Sequence, residues 1–221
     1  MRIKNLFFRS LKLFIALSLI SLGISLIAKS AIGQSTVSGF SFNLGVLIHL
    51  KQGTALGLVN LAFFLAQIPL LKKLDLKHAF QLGMILVSSL LTNVFLYDFP
   101  WAWFPLPSTY PIQLIFLLIG IVVMALGISL MMALEFVYMP YEGFIHLVSE
   151  RFNLSFGKLR RNLDMGLVVM SLILIILFRI PNTTVREGTL LFAYGVGTLN
   201  HQFIPILKKT GWKDVFETQT S

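Results

Sequence analysis

Apolar residues in this chain gather into six long runs, at about 12–30, 53–71, 78–97, 112–134, 161–180 and 187–206, with polar residues confined to the pieces between them. A helix needs about 20 apolar residues to cross a bilayer. The pattern predicts an all-α membrane protein with six transmembrane helices. Between the first and second runs, and between the fourth and fifth, lie stretches too long for a tight turn and too short to cross, 33–51 and 137–155. Each opens on a polar turn bearing glycine or proline, and then predicts a short helix, at 38–50 and at 142–153. Such a helix is re-entrant, or it lies flat on the surface. Gln34, Ser35, Thr36 and Ser38 are too polar to face lipid, which favours re-entry under cover of protein or a water-filled cavity.

The whole pattern occurs twice. Residues 21–72 recur at 125–176 with a constant offset of 104 and no gap. Leu22-Gly23-Ile24-Ser25-Leu26 returns as Leu126-Gly127-Ile128-Ser129-Leu130, Gly39-Phe40 as Gly143-Phe144, Leu50 as Leu154 and Gly53 as Gly157. Glycines in one register and a contiguous block of matches mark a duplicated unit. Each copy (about 12–97 and 112–206) carries three spans. Three is odd, so the second copy enters the membrane from the opposite side. That predicts a 3+3 inverted repeat within a single membrane domain, 1–221. Secondary transporters commonly use this plan, with the site near the midplane where the copies meet. The repeat also settles how to read the first run, which Arg2, Lys4, Arg9 and Lys12 make resemble a signal peptide. Its internal copy cannot be one, so a retained helix is expected.

Charge changes the picture in one respect. Only 12% of residues are charged, against about 25% in soluble domains, and the net charge of +9 comes from Lys and Arg in short loops. They read as topology signals, and nucleic acid is not an expected partner. With the N-terminus inside, 14 of the 18 Lys and Arg fall on the cytoplasmic side. The positive-inside rule then places both termini, with the tail 207–221, in the cytoplasm. Trp101, Trp103 and Tyr110, around an outer loop without Lys or Arg, fit an interfacial aromatic belt.

Candidate chemistry is sparse. Acids at membrane depth are costly, so they face a cavity or a partner. Glu135 closes the fourth run, Glu142 follows Met139-Pro140-Tyr141, and Asp164 lies one turn into the fifth run. Glu142 and His146 are four apart and share a helical face. There they relay a proton or hold a cationic solute, unless Glu142 merely caps its helix and His146 sits among headgroups. Asp164 follows Arg160 and Arg161, so an ion pair accounts for it; its repeat mate is Asn60, a polar position kept in both copies. Ser18, Ser21 and Ser25, Gly120 and Gly127, and Gly188, Gly195 and Gly197 form small-residue stripes suited to close packing. No GxxxxGK[ST], HExxH or GxSxG motif is present, and there is no cysteine. Neither ATP hydrolysis nor hydrolytic or thiol chemistry is expected. The four histidines are scattered, so no metal is expected; no cofactor and no catalytic residue are assigned.

The segments Gly23-Ile-Ser-Leu-Ile-Ala-Lys-Ser-Ala-Ile-Gly33, Leu50-Lys-Gln-Gly53-Thr54-Ala55-Leu-Gly57-Leu-Val-Asn60 and Arg186-Glu-Gly188-Thr189 resemble the YczE/YyaS/YitT family of bacterial membrane proteins, over most of residues 12–206. The resemblance implies a bacterial inner-membrane protein with five or six spans and no settled biochemical function. The chain departs from that pattern where Gln34-Ser35-Thr36 replaces the Pro-aromatic-acid triplet, which Pro140-Tyr141-Glu142 keeps. The reading is a small-solute permease, not an enzyme, with a site of Gln34, Ser38, Asn60, Glu135, Glu142, His146 and Asp164. Its expected partners are the bilayer, an unidentified small solute, and a membrane protein or a second copy. The alternatives are a membrane scaffold or assembly factor, or the substrate-binding subunit of a larger importer.

Overall fold

The computed structural model describes residues 2–71, 73, 75–99, 107–210 and 212, with side chains from residue 7 onward. Among the described residues there are eight α-helices and no strand: α1 (Arg2–Ser30), α2 (Thr36–Leu47), α3 (Gln52–Gln67), α4 (Leu76–Asn93), α5 (Tyr110–Leu134), α6 (Pro140–Arg151), α7 (Phe156–Phe178) and α8 (Glu187–Lys209). A 3-10 turn, Ile68–Leu70, extends α3, and a π turn, Val94–Asp98, extends α4. Among the described residues, five helices are long and apolar enough to span a membrane: α1, α3, α4, α5 and α7, with α3 and α4 taken together with their extensions. This is a multi-pass membrane protein. The sixth expected span is helical over 23 residues, but Tyr194, Asn200, His201 and Gln202 dilute its apolar character and it is not one of the five. The belt residues Trp101 and Trp103, the side chains of Arg2 and Lys4, and Lys72 and Lys213 lie outside the described residues.

The offset of 104 residues recurs in the backbone. α2 and α6 span twelve residues each and start 104 residues apart. The left-handed residues Ala31 and His49, which end α1 and follow α2, have mates in Glu135 and Asn153, with φ of 56° and 56° against 48° and 51°. Hydrogen bonds repeat at the same offset: Gly39 N to Ser35 O and Gly143 N to Met139 O, Leu50 N to Gly45 O and Leu154 N to Ser149 O. Both short helices begin earlier than the sequence suggests. Ser35 caps α2 by accepting from the Ser38 backbone, and Pro140 occupies the first turn of α6, where its missing N–H is harmless. The left-handed residues at 49 and 153 then stop them.

The centre of the molecule is the pair α1 and α5, which are repeat mates. Gly23 faces Met124, Gly120 faces Ile27, and Gly127 faces Ile20, so the two helices run antiparallel. A Cβ on Gly23 would lie 2.5 Å from the Met124 Cβ, which is why glycine is needed at this crossing. Ala16, Ile20, Ile24, Leu117, Ile121 and Ala125 complete a buried seam. α8 lies along α5 in the same direction, from Gly188 beside Leu117 to the ion pair of Lys208 with Glu135 at 2.5 Å. At that end the first and last helices meet, where Lys12 Nζ donates to Trp212 O at 3.0 Å. Gly197 departs from the expected packing stripe, since no neighbour lies within 4 Å of its Cβ position.

Contacts between the copies follow the duplication up to one point. α2 packs on α7 as α6 packs on α3, and α1 on α4 as α5 on α8. The exception is the mate of the α3–α4 interface. There Gly53 is close-packed: its N–H donates to Asn93 Oδ1 at 2.9 Å and its carbonyl accepts from Ser89 Oγ at 2.7 Å. In the second copy α7 makes no comparable contact with α8. Gly157, the mate of Gly53, has nothing within 4 Å of its Cβ position.

Candidate functional site

A cavity of about 790 Å³ fills the space that the missing α7–α8 contact leaves open. Phe156, Arg160 and Asp164 line it from α7, one turn apart each, and Phe192, Val196, Asn200 and Ile204 face them from α8. α1 and α5 supply an apolar back wall that includes Ile20, Ile24, Met124 and Met131. Its volume lies within the range of about 300–1,000 Å³ usual for small-molecule sites.

The polar end is built where the two short helices converge. Both start beside Asp164: Thr36, the first residue of α2, donates its hydroxyl to Asp164 Oδ1 at 2.5 Å, and Tyr141, the second of α6, donates to the same oxygen at 2.8 Å. One carboxylate of α7 thus joins the N-terminal ends of both short helices. Those ends carry unpaired backbone N–H groups and a partial positive charge, which suits an acid. Arg160 reaches Asp164 Oδ2 and Glu142 Oε1, each at 3.8 Å, close enough for charge attraction and too long for hydrogen bonds. Glu142 sits in the first turn of α6 with its side chain 30% exposed to the cavity. Burial pushes its carboxyl above the ordinary carboxylate range, and the Arg160 guanidinium opposes that rise.

Ser38, Asn60, Glu142, His146 and Asp164 all line this cavity. Ser38 and Glu142 are repeat mates, as are Asn60 and Asp164, so the cavity uses equivalent positions of both copies. Two of the seven expected residues stand elsewhere. Gln34 is buried behind the wall, where its Oε1 accepts from Ser38 Oγ at 2.9 Å and Gln52 Nε2 at 2.7 Å and its backbone N–H donates to Thr184 O. Glu135 is the left-handed residue that ends α5, and it reaches Lys208 on the exposed end of α8. The pairing of Glu142 with His146 on one helix face does not form. His146 instead stacks on Tyr138 and lies 3.4 Å from Glu150, one turn further on, while Glu142 turns to Arg160.

Sequence reasoning missed Thr36 and Tyr141. The available signal was the offset itself, since it places both at the start of equivalent short helices, but only the docking of α2 on α7 shows that they share one carboxylate. Arg160 was read as a partner of Asp164 alone. Its second acid lies on a different helix.

A family-level match covers residues 7–205 and corresponds to the family of unknown function DUF6198. The chain belongs to DUF6198. An uncharacterized protein of Haemophilus influenzae (strain ATCC 51907 / DSM 11121 / KW20 / Rd) is 25% identical over 197 residues, which cover 89% of this chain and 84% of that protein. No solved structure matches. The DUF6198 match thus spans all eight helices in whole or in part, including every residue of the polar cluster, and brings no assigned activity with it.

Proposed function

We propose that this protein is a small-solute permease of the bacterial inner membrane, built as an inverted repeat of three spans per copy, with both termini in the cytoplasm. The observation that carries the reading is the broken equivalence of the two copies. α3 is closed on α4, α7 stands away from α8, and a cavity with a charged end fills the gap. The antiparallel packing of α1 on its repeat mate α5 supports the inverted arrangement, and the meeting of Lys12 with Trp212 supports termini on one side. In such a protein the two copies exchange conformations. The state described here is open toward the end where α1 begins and α8 finishes, where Glu150 is 66% exposed at the rim. The opposite state has α7 closed on α8 through Gly157, and α3 parted from α4 at Gly53. Kinship with the YczE/YyaS/YitT family belongs to the same reading, and the glycine segments around Gly23, Gly53 and Gly188 support it.

The natural absence of cysteine allows a test that needs no knowledge of the solute. A single Ala193→Cys change places a thiol on the cavity wall. A membrane-impermeant maleimide applied to right-side-out and to inverted vesicles should label it from both sides. Adding the pair Gly57→Cys and Ser89→Cys, whose positions are in contact, and oxidising it should hold α3 on α4. Labelling should then persist only from the side of the termini. Labelling from one side with and without the lock would mean a static cavity, and would move the weight to a membrane scaffold.

A further inference from the structure

The charged end of the cavity holds more acid than base. Glu142 and Asp164 share one guanidinium, that of Arg160, at 3.8 Å from each. The third acid, Glu150, is 66% exposed at the rim, 3.4 Å from His146. With both carboxylates ionised, one negative charge is left over in a mostly apolar chamber, where an unmatched charge is costly and a bound cation offsets that cost. We propose that the solute is a primary ammonium ion carried on a short apolar body, its donors met by Glu142, Asp164 and the side-chain carbonyl of Asn60. This deepens the permease reading and rests on it.

Asn60 supplies an observation independent of the acids. Its side chain is 3% exposed and lines the cavity. Its Nδ2 donates to the Leu56 carbonyl at 3.0 Å. A backbone carbonyl only accepts, so the amide orientation is fixed and Oδ1 is the free end. Among the described residues nothing donates to that oxygen. The oxygen opens onto the cavity, where it is free to accept from a donor-bearing solute. Glu142 accepts a backbone hydrogen bond in its own turn but has no side-chain donor, and Asp164 Oδ2 has only the distant Arg160. An ammonium group has three N–H donors and no acceptor, which matches three oxygens in need of donors. The rest of the chamber decides against a bare metal ion. Hard cations want six or more oxygen ligands, and the described residues contain no group of three metal-ligating side chains. Met124, Met131, Ile20, Ile24, Phe192 and Val196 offer an apolar wall instead, and methionine adapts to the shape of what lies against it.

The test uses the full chain in detergent and its melting temperature in the presence of n-butylammonium, butanoate, 1-butanol or potassium, all at equal ionic strength. The expected result is a rise with n-butylammonium alone, its apparent affinity falling at least tenfold in Asn60→Leu and in Asp164→Asn. Loss in Asp164→Asn alone could reflect loosened helix ends at Thr36 and Tyr141. A third variant covers that case: Asn60→Asp gives copy one the residue of its mate, and should bind n-butylammonium more tightly than wild type. A response to butanoate or 1-butanol, an equal response to potassium, unchanged binding in all three variants, or no response to any probe would each overturn the proposal. The permease reading answers to a different measurement, the two-sided labelling of Ala193→Cys. A static cavity that binds n-butylammonium sinks that reading alone, and a mobile cavity indifferent to it sinks the present one alone.

Discussion

Single residues in this protein divide into those that allow helices to touch and those that hold charge between them. Gly23 belongs to the first kind. A side chain there must displace the Met124 backbone, whose nitrogen would lie 2.7 Å from the new Cβ. Gly23→Leu should destabilise the protein by roughly 1–3 kcal/mol or more, through overpacking. Gly83→Ala, in α4 with no neighbour within 4 Å, should be neutral or gain up to about 1 kcal/mol in helix propensity. Melting temperatures in one detergent compare the two, and equal losses would remove the α1–α5 crossing from its central place. Glu142 belongs to the second kind. Its carboxyl is raised from the ordinary value of 4.5, so the folded protein binds a proton there more tightly than the unfolded chain does. Stability from this group is then fully present below about pH 4.5 and is lost as pH rises through the folded value. Facing it are Arg160 and Asp164 from α7, with Tyr141 beside it on its own helix. Glu142→Gln keeps all of them and has no proton to lose. The melting temperature of Glu142→Gln minus that of wild type should therefore increase as pH is raised from about 4 to about 8, whatever its sign at the start. A difference that stays flat or narrows would mean that burial does not raise this carboxyl.

At the level of helices, the sequence carried the spacing and left out the docking. The runs of apolar residues marked every long helix, and the offset of 104 matched both short helices once local capping moved their starts to Thr36 and Pro140. These features are local: they depend on a cap, a proline or a left-handed residue near the helix they bound. What the sequence did not carry is which helix lies against which. Thr36 and Tyr141 reach one Asp164 only because α2 and α6 approach α7 from different sides, and no spacing along the chain encodes that meeting. Glu135 was judged by its place at the end of an apolar run, yet in the fold that end is exposed. The contrast between Gly53 and Gly157 shows the same limit, because identical positions in the repeat have opposite surroundings. It also yields a prediction at this scale. Gly157→Leu has free space in the state described here and should melt near wild type. It should nonetheless prevent α7 from closing on α8, and so abolish labelling of Ala193→Cys from the side away from the termini. Gly53→Leu should do the reverse, lowering stability and favouring the far side, because its Cβ would lie 2.4 Å from the Ser89 carbonyl oxygen. Two-sided labelling that survives Gly157→Leu would show that the gap between α7 and α8 plays no part in access.

For the whole molecule, α8 decides the parity of the crossings. If five helices cross, the termini lie on opposite sides of the membrane; if α8 crosses as well, they lie on the same side. Composition argues for five, because a cluster of amide and imidazole side chains interrupts the apolar face of α8. Packing argues for six. At about 1.5 Å per residue, its 23 residues reach about 35 Å, more than the roughly 30 Å of hydrocarbon. It runs beside α5 in the same direction from Gly188 to Lys208. Its polar residues also have protein to face, since Asn200 lines the cavity and accepts from Ser129 Oγ at 2.9 Å. Polar groups are tolerated at depth when they line such a cavity, so a helix can be too polar by composition and still cross. The hydrogen bond of Lys12 to Trp212 O also favours six. Single cysteines at Ser10, Ser108 and Ser221 in the cysteine-free chain separate the cases. Impermeant reagent should label Ser10→Cys and Ser221→Cys from one side and Ser108→Cys from the other. Labelling of Ser221→Cys together with Ser108→Cys would leave α8 outside the hydrocarbon and make the two copies unequal in the number of times they cross. With that equality gone, the exchange of conformations between copies would have no structural basis.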